Sequence, residues 1–161
     1  MLHQPVDRTV WLMPGNLVIG LEAATKDEAL SQLAKRMYNN GYVKASYEKA
    51  VIERETSFAT GLPTVYCSVA IPHTDSQPVN SKSIGVAVLK ETVPFVIMGE
   101  LEATTDVKLI FMLAMDKEDA QLSLLQKLMG IFQNNKILEA IANSADGNEI
   151  INIIEHEIKE V

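Results

Sequence analysis

Nearly continuous apolar runs are the feature that most constrains how this chain can fold. Three of them occupy residues 69–71, 84–89 and 107–115, and they are rich in branched side chains. Such runs are typical of strands that are covered on both faces of a sheet. Residues 94–98 give a fourth strand signal, in which Pro94 indicates either an edge strand or a strand that starts after it.

Two amphipathic helices are predicted before these strands. Thr25 and Glu28 fit a capping box at the start of the first helix, and residues 40–41, Asn-Gly, end it. Ser46 predicts the start of the second helix. Helical spacing then places Arg54 at the end of that helix, on its otherwise apolar side. The other members of that side are Tyr47, Ala50 and Val51.

Three more helices are predicted after the strands. The first opens at Asp116 or at residues 118–119, because acidic side chains favour a helix N-terminus. Its predicted inward face consists of Gln121, Leu125, Leu128 and Phe132. A short helix covers residues 137–142, and Asn148 is expected to cap the last helix. The predicted fold class is therefore α/β, a single domain over residues 1–161 with a mixed central β-sheet flanked by helices on both faces.

Composition narrows the class of function. The formal net charge is −7 and no Lys/Arg cluster offers a footprint for a phosphate backbone, so nucleic-acid binding is not expected. No stretch approaches the roughly 20 apolar residues of a membrane span, and residues 1–13 do not resemble a signal peptide, so direct membrane insertion is not expected either. Cys67 is the only cysteine, which excludes an intrachain disulfide and favours a cytoplasmic location.

His73 is the strongest candidate for chemistry in this chain. It follows Pro72, which stops the preceding strand, and so lies in a loop at a strand end. A neutral imidazole is nucleophilic near pH 7, with one ring nitrogen free to attack while the Thr74 hydroxyl or a loop carbonyl holds the other. The alternative is a loop histidine without a chemical task. The remaining histidines, His3 and His156, are interpreted as surface residues.

Arg54 adds an anion-binding group close to His73 in the sequence. Its guanidinium offers a planar fork that matches a phosphoryl group. Thr60 and Gly61 can supply a hydroxyl and a flexible turn, although turn chemistry alone would explain both. The alternative for Arg54 is a side chain that is solvated or paired with a glutamate.

The order of these motifs resembles a known family. Arg54-Glu55, Thr60-Gly61 and Ala70-Ile71-Pro72-His73, followed by the apolar strands, are similar to the enzyme IIA domains of the sugar phosphotransferase system, in the fructose–mannitol superfamily. The resemblance runs from about residue 17 to residue 154. It implies that His73 is the phosphorylated histidine and that Arg54 stabilises the phosphoryl group.

One departure from the fructose and mannitol pattern is informative. Where many of those members have a His-Leu pair after the last core strand, this chain has Gln121-Leu122. In this respect, and in residues 58–62 and the loop 63–68, the chain resembles the galactitol-specific branch. The resemblance concerns lineage, because these domains contact proteins rather than sugar. Gln121 can still donate a hydrogen bond to a phosphoryl oxygen, or it can face solvent at the start of its helix.

The resemblance implies a relay of phosphoryl groups. The carrier protein HPr brings a phosphohistidine, His73 accepts the group, and a cysteine of a IIB domain receives it, with no cofactor and no metal. Arg54 would stabilise the transferred group, with assistance from Gln121 and the Thr60 hydroxyl. Partners would dock on an apolar, partly acidic surface. The candidate rim residues are Phe58, Leu62 and Val65, whose alternative role is internal loop packing.

Two rival functions remain open from the sequence. A regulatory IIA-like signalling domain would use the same histidine to control a partner. A non-catalytic α/β binding module would use His73 only to line a pocket. A metal-dependent hydrolase is not favoured, because the chain has no His-Glu-x-x-His motif and no paired histidines.

Overall fold

A five-stranded mixed sheet runs through the part of the chain that the computed structural model describes, residues 14–159. Its strands are β1 (Leu17–Leu21), β2 (Gly61–Leu62), β3 (Ser68–Ala70), β4 (Ser83–Val96) and β5 (Thr104–Ala114). Their order across the sheet is β1-β4-β5-β3-β2. The pairs β1–β4 and β3–β5 are parallel, while β4–β5 and β2–β3 are antiparallel.

Helices cover both faces of this sheet. They are α1 (Lys26–Asn39), α2 (Tyr47–Ser57), α3 (Glu118–Phe132), α4 (Asn135–Asn143) and α5 (Gly147–Lys159), with a short 3-10 helix at Pro14–Asn16. The buried residues of α1 and α2 pack on one face, and those of α3, α4 and α5 pack on the other. The predicted α/β class, with a mixed sheet between two helical layers, is confirmed.

The position of β5 in the sheet explains why residues 109–114 are apolar without interruption. Leu109, Phe111 and Leu113 belong to the core beneath α3, α4 and α5. Ile110 and Met112 belong to the opposite core, beneath α1 and α2. Side chains alternate between the two faces of a strand, so a strand buried on both sides needs an apolar residue at every position.

The strand signals at residues 84–89 and 94–98 form one strand rather than two. The pairing of β4 with β5 shifts register between Val88 and Val93 and then continues, with Pro94 opposite Asp106. The expectation that a strand starts after Pro94 is therefore wrong. The expectation of an edge holds locally, because the register of β1 against β4 ends at Leu89 and leaves no ladder bond there for Pro94 to break.

Two strands escaped prediction because they are short. β1 has only five residues, of which Ile19 and Gly20 are exposed, and β2 has two residues. Both are shorter than the apolar runs of β4 and β5. β2 is nevertheless important for the site described below, since it places residue 60 next to the end of β3.

The predicted starts of α1 and α2, at Thr25 and Ser46, are confirmed, whereas the predicted cap of α5 at Asn148 is wrong. The Thr25 hydroxyl accepts a hydrogen bond from the backbone N–H of Glu28 at 3.2 Å. Ser46 makes no side-chain cap, because its backbone is already helical. At α5 the carboxylate of Asp146, rather than Asn148, acts as the cap, and it accepts the N–H of Asn148 at 2.9 Å.

Helix α3 begins at the predicted acidic residues, but the face that it buries differs from the predicted inward face. The residues that it buries are Leu124, Leu128, Ile131 and Phe132. Leu125 and Gln121 are only partly buried, at the border of that face. Gln121 is thereby left at the edge of the helix, where it contacts a loop instead of the core.

Some of the expectations concern residues outside the part of the chain that the structure describes. His3 and the interpretation of residues 1–13 fall outside this part, whereas His156 is exposed, as expected. Within residues 14–159, no helix is long and apolar enough to cross a membrane.

Candidate functional site

The backbone of His73 is attached to the end of β5. The carbonyl of Pro72 accepts a hydrogen bond from the N–H of Leu113 at 2.9 Å, and His73 forms an isolated bridge with Leu113. The phenol of Tyr47, at the start of α2, donates to the carbonyl of Leu113 at 2.6 Å. Ile71 and Pro72 are buried and His73 is half-buried. His73, although it lies in a loop, is thus paired with β5 in the manner of a strand residue.

A second hydrogen bond determines which ring nitrogen of His73 is reactive. Nδ1 lies 2.8 Å from the carbonyl oxygen of Ile71. A carbonyl oxygen only accepts, so Nδ1 carries the proton and the lone pair of the neutral ring is on Nε2. The Thr74 hydroxyl, the alternative partner, instead donates to the carbonyl of Asp75 at 2.7 Å. Nε2 is therefore the nucleophilic atom.

The groups that surround the His73 ring favour its neutral form. Burial lowers the pKa of His73 below its ordinary value of 6.5, and the positive charge of Arg54 lowers it as well. The hydrogen bond to Ile71 and the negative charge of Glu118 act in the opposite direction and are outweighed. Near pH 7 the nucleophilic form of the imidazole predominates.

Arg54 lies in the last turn of α2, where the prediction placed it, but on a different face. The buried positions of α2 are Tyr47, Val51 and Glu55, and Arg54 is exposed. The expectation of an apolar, inward position is wrong, because the buried stripe follows i, i+4 spacing through Glu55. The guanidinium instead lies over the ring of Phe58, with Cζ 5.0 Å from the ring centroid. Its charge is free to meet an anion at the surface.

Thr60 lies inside the protein. Its hydroxyl donates to Oε1 of Glu55 at 2.8 Å and accepts the N–H of Ile71 at 3.1 Å. The only remaining capacity of this hydroxyl is a lone pair, which cannot bind a phosphoryl oxygen because that oxygen is also an acceptor. The expectation that Thr60 meets the phosphoryl group is therefore corrected to a role in the interior.

The first turns of α3 hold the loop that follows His73. Nε2 of Gln121 donates to the carbonyl of Thr74 at 3.3 Å, and a carboxylate oxygen of Glu118 accepts the N–H of Ser76 at 3.2 Å. Oε1 of Gln121 is buried and has no partner among the described residues. Gln121 thus contacts the residue next to His73, and this contact uses one of its two amide hydrogens. Its assisting role stays a prediction.

The three candidate rim residues lie in different parts of the structure. The loop that carries Val65 joins β2 to the start of β3, whereas His73 lies beyond the end of β3. Val65 is 89% exposed and lines a groove with Met129 and Phe132, in the C-terminal half of α3. Leu62 is half-buried and packs on the core. Only Phe58 remains beside the site, through its contact with Arg54.

Sequence reasoning missed three contributors to the site. Tyr47 was interpreted only as a core residue, Glu118 only as a helix start, and Glu55 only as part of the Arg-Glu motif. A better signal was available for Glu55, since a glutamate on the apolar stripe of α2 must be satisfied in the interior. Leu122, which is 59% exposed directly after Gln121, is a further surface residue near the site.

The described residues show no metal centre. No group of three or more His, Cys, Asp or Glu side chains within residues 14–159 could hold a metal ion. Burial raises the pKa of the lone thiol of Cys67, so it is protonated near pH 7.

Known proteins are similar in sequence to this chain over most of its length. A family model described as "Phosphoenolpyruvate-dependent sugar phosphotransferase system, EIIA 2" matches residues 12–157. The chain is 28% identical over 124 residues to the galactitol-specific EIIA component of Escherichia coli (strain K12), covering 76% of this chain and 81% of that protein.

Two longer proteins contain a region that resembles this chain. The mannitol-specific EIICBA component of Escherichia coli (strain K12) is 28% identical over 145 residues, which cover 86% of this chain and 21% of that protein. The transcriptional regulator ManR of Bacillus subtilis (strain 168) is 31% identical over 98 residues, which cover 61% of this chain and 14% of that protein. Because the mannitol and galactitol relatives are equally identical, the likeness to the galactitol branch does not establish a sugar.

Solved structures have the same fold. A PTS IIA protein (PtxA) from Streptococcus mutans superposes with a TM-score of 0.75 at 21% identity, covering 90% of this chain and 91% of that chain. The enzyme IIAMtl in a complex with phosphorylated enzyme IIBMtl, from Escherichia coli, gives a TM-score of 0.71 at 22% identity, covering 87% and 94%. Together with the match of the family model over residues 12–157, this places the chain in the EIIA 2 family of the phosphoenolpyruvate-dependent sugar phosphotransferase system.

Proposed function

We propose that this chain is a phosphoryl carrier in a sugar or polyol uptake system, in which His73 accepts a phosphoryl group from phosphorylated HPr and passes it to a cysteine of a IIB domain. The observation that carries the proposal is the hydrogen bond from Nδ1 of His73 to the carbonyl of Ile71, which leaves Nε2 as a half-buried nucleophile. We also propose that the chain is cytoplasmic and that residues 1–161 form a single phosphotransfer domain.

The acceptance step needs no proton transfer. Nε2 attacks the phosphorus of the HPr phosphohistidine, and a new N–P bond forms as the old one breaks. The electron pair of the broken bond stays on the nitrogen of HPr, whose imidazole becomes neutral. Nδ1 of His73 keeps its proton and its bond to Ile71, so the ring does not have to turn during the reaction.

In the transfer step, Nε2 of His73 is the leaving group instead of the nucleophile. A thiolate of the IIB partner attacks the phosphorus, an S–P bond forms, and the lone pair returns to Nε2. In both steps the charge is spread over three phosphoryl oxygens, so positioning and cationic stabilisation matter most. Arg54 is exposed and close enough to influence the pKa of His73, which supports this stabilising role.

The experiment that tests the proposal is incubation of the chain with phosphorylated HPr. We expect a mass gain of one phosphoryl group in intact-mass spectrometry, and 31P NMR should assign it to Nε2. His73→Ala and His73→Gln should abolish acceptance while keeping the far-UV circular dichroism spectrum. His156→Gln, at an exposed histidine, is the matched control and should accept normally. Phosphorylation of His73→Gln would disprove the assignment.

A regulatory role is the second candidate, favoured by the similarity to the transcriptional regulator ManR. Both roles share acceptance at His73 and differ in the next step. After phosphorylation, a purified IIB domain from a mannitol or galactitol system is added. Rapid loss of the phosphoryl group from His73 supports transport, whereas retention supports regulation. A non-catalytic binding module would gain no phosphoryl group from HPr at all.

A further inference from the structure

A chain of hydrogen bonds connects the end of α2 to the ring of His73. The backbone N–H of Thr60 donates to Oε2 of Glu55 at 2.7 Å, and its hydroxyl donates to Oε1 at 2.8 Å. The same hydroxyl accepts the N–H of Ile71 at 3.1 Å. The carbonyl of Ile71 then accepts Nδ1–H of His73 at 2.8 Å. Glu55 and Thr60, which we call the Glu55–Thr60 unit, are only 3% and 5% exposed.

A buried carboxylate of this kind requires an explanation. Glutamate is almost never fully buried unless it is paired, and no described lysine or arginine lies within ion-pair distance of Glu55. Its two oxygens are satisfied by Thr60 instead. Burial raises the pKa of Glu55, and the two hydrogen bonds from Thr60 act against that shift. An apolar residue would pack at this position at lower cost, so the carboxylate has a specific use.

That use follows from where the sheet ends. Ala70 pairs with Gly61 at the last position of the β2–β3 ladder, and Ile71 comes one residue later. The hydroxyl of Thr60 takes the place of the next backbone acceptor for the N–H of Ile71. On the other side, the carbonyl of Pro72 accepts the N–H of Leu113. The peptide unit that contains the Ile71 carbonyl is therefore fixed from both neighbours, and the direction of that carbonyl is set.

We infer that the Glu55–Thr60 unit is a positioning device that aims the Ile71 carbonyl at Nδ1 of His73, and so maintains the tautomer in which Nε2 is the nucleophile. The inference rests on the proposed function of His73. It also explains why Arg54 and Glu55 are adjacent. One turn of α2 places a cation at the surface for the phosphoryl group and a carboxylate inside for the nucleophile.

Two substitutions at one position test this inference. Thr60→Ser keeps the hydroxyl, whereas Thr60→Val keeps the shape and removes both hydroxyl bonds. We expect the 15N shifts of the His73 ring to report the Nδ1–H tautomer in the wild type and in Thr60→Ser. In Thr60→Val they should move towards a mixture of tautomers. The maximal rate of acceptance from phosphorylated HPr should fall about tenfold in Thr60→Val with little change in KM, because of the two hydroxyl bonds only the one from Ile71 bears directly on the His73 ring.

A second variant guards against a purely structural effect. Glu55→Gln is nearly isosteric, but its amide nitrogen cannot accept a hydrogen bond, so one of the two bonds that Thr60 donates to Glu55 is lost while the Thr60 hydroxyl can still accept from Ile71. We therefore expect a change of ring shifts in the same direction as in Thr60→Val, but smaller. Thermal unfolding is measured in parallel. Loss of stability with unchanged ring shifts and unchanged maximal rate would overturn the inference. If every variant other than Thr60→Ser loses the fold, the unit is structural and the inference is also overturned.

The ring shifts separate this inference from the proposed function. They are measured on the unphosphorylated protein and do not require HPr. If the wild type accepts no phosphoryl group but the tautomer still responds to Thr60→Val, the proposed function fails and the positioning of the ring stands. If the wild type accepts the group and Thr60→Val matches it in both tautomer and rate, only the inference fails.

Discussion

The guanidinium of Arg54 lies over the aromatic ring of Phe58, with Cζ 5.0 Å from the ring centroid. The negative face of the ring attracts the cation, and the C-terminal end of α2 adds a favourable dipole. Phe58 is itself 63% exposed. The contact thus holds a flexible cation at the surface beside the His73 loop without neutralising it with a carboxylate.

Substitution of Arg54 should slow phosphoryl transfer. Arg54→Ala removes both charge and fork, and we expect a loss of about 10²–10³ in the single-turnover rate of acceptance from phosphorylated HPr. Arg54→Lys keeps the charge without the bidentate geometry and should lie between Ala and wild type. Arg36→Ala, at another exposed arginine near a helix end, is the control. Wild-type rates in both Arg54 variants would contradict the role.

Two substitutions that each remove one charge near His73 should move the pKa of His73 in opposite directions. Arg54→Gln removes a positive charge that lowers this pKa, so the pKa should rise. Glu118→Gln removes a negative charge that raises it, so the pKa should fall. Acceptance requires the neutral ring, so Glu118→Gln should retain activity to lower pH than the wild type, and Arg54→Gln should lose it at higher pH. NMR titration of the His73 ring measures both, and shifts of the same sign would refute this electrostatic description.

Gln121 should assist transfer without being essential. Gln121→Ala should reduce the rate by a factor that corresponds to about 0.5–1.5 kcal/mol, because it removes one neutral hydrogen bond. Gln121→His should remain active and add a group that titrates near its ordinary value of about 6.5. The pH dependence of the single-turnover rate distinguishes Gln121→His from Gln121→Ala. A rate for Gln121→Ala that equals the wild type would leave Gln121 only its contact with Thr74.

The surface that receives HPr should include Phe58 and Leu122 and exclude Val65. All three are exposed, at 63%, 59% and 89%, but Val65 lies at the opposite end of β3 from His73. Phe58→Asp and Leu122→Asp should each raise KM for phosphorylated HPr about tenfold, with unchanged thermal stability. Phe58→Asp should also lower the maximal rate, because its carboxylate would lie beside the guanidinium of Arg54. Val65→Asp is the matched control and should leave KM unchanged. Equal effects of all three substitutions would point to general destabilisation or charge repulsion instead of docking.

The position of His73 could be predicted from the chain alone because its determinants are local. A short apolar strand, a proline that cannot continue the ladder and a following polar loop place His73 at a strand end without knowledge of any distant contact. The same holds for the two-sided burial of β4 and β5, since every position in their apolar runs needs a covered face. The order of the motifs was sufficient to indicate the family.

The roles of Thr60, Arg54 and Val65 were decided by tertiary structure. They depend on which segments meet: the Thr60 hydroxyl is used by Glu55 and Ile71, and the β2–β3 pairing moves Val65 away from His73. The tautomer of His73 depends on a carbonyl whose direction is set by Thr60 on one side and Leu113 on the other. Local sequence patterns report burial and turns, whereas hydrogen bonds between distant segments exist only once the sheet has brought those segments together.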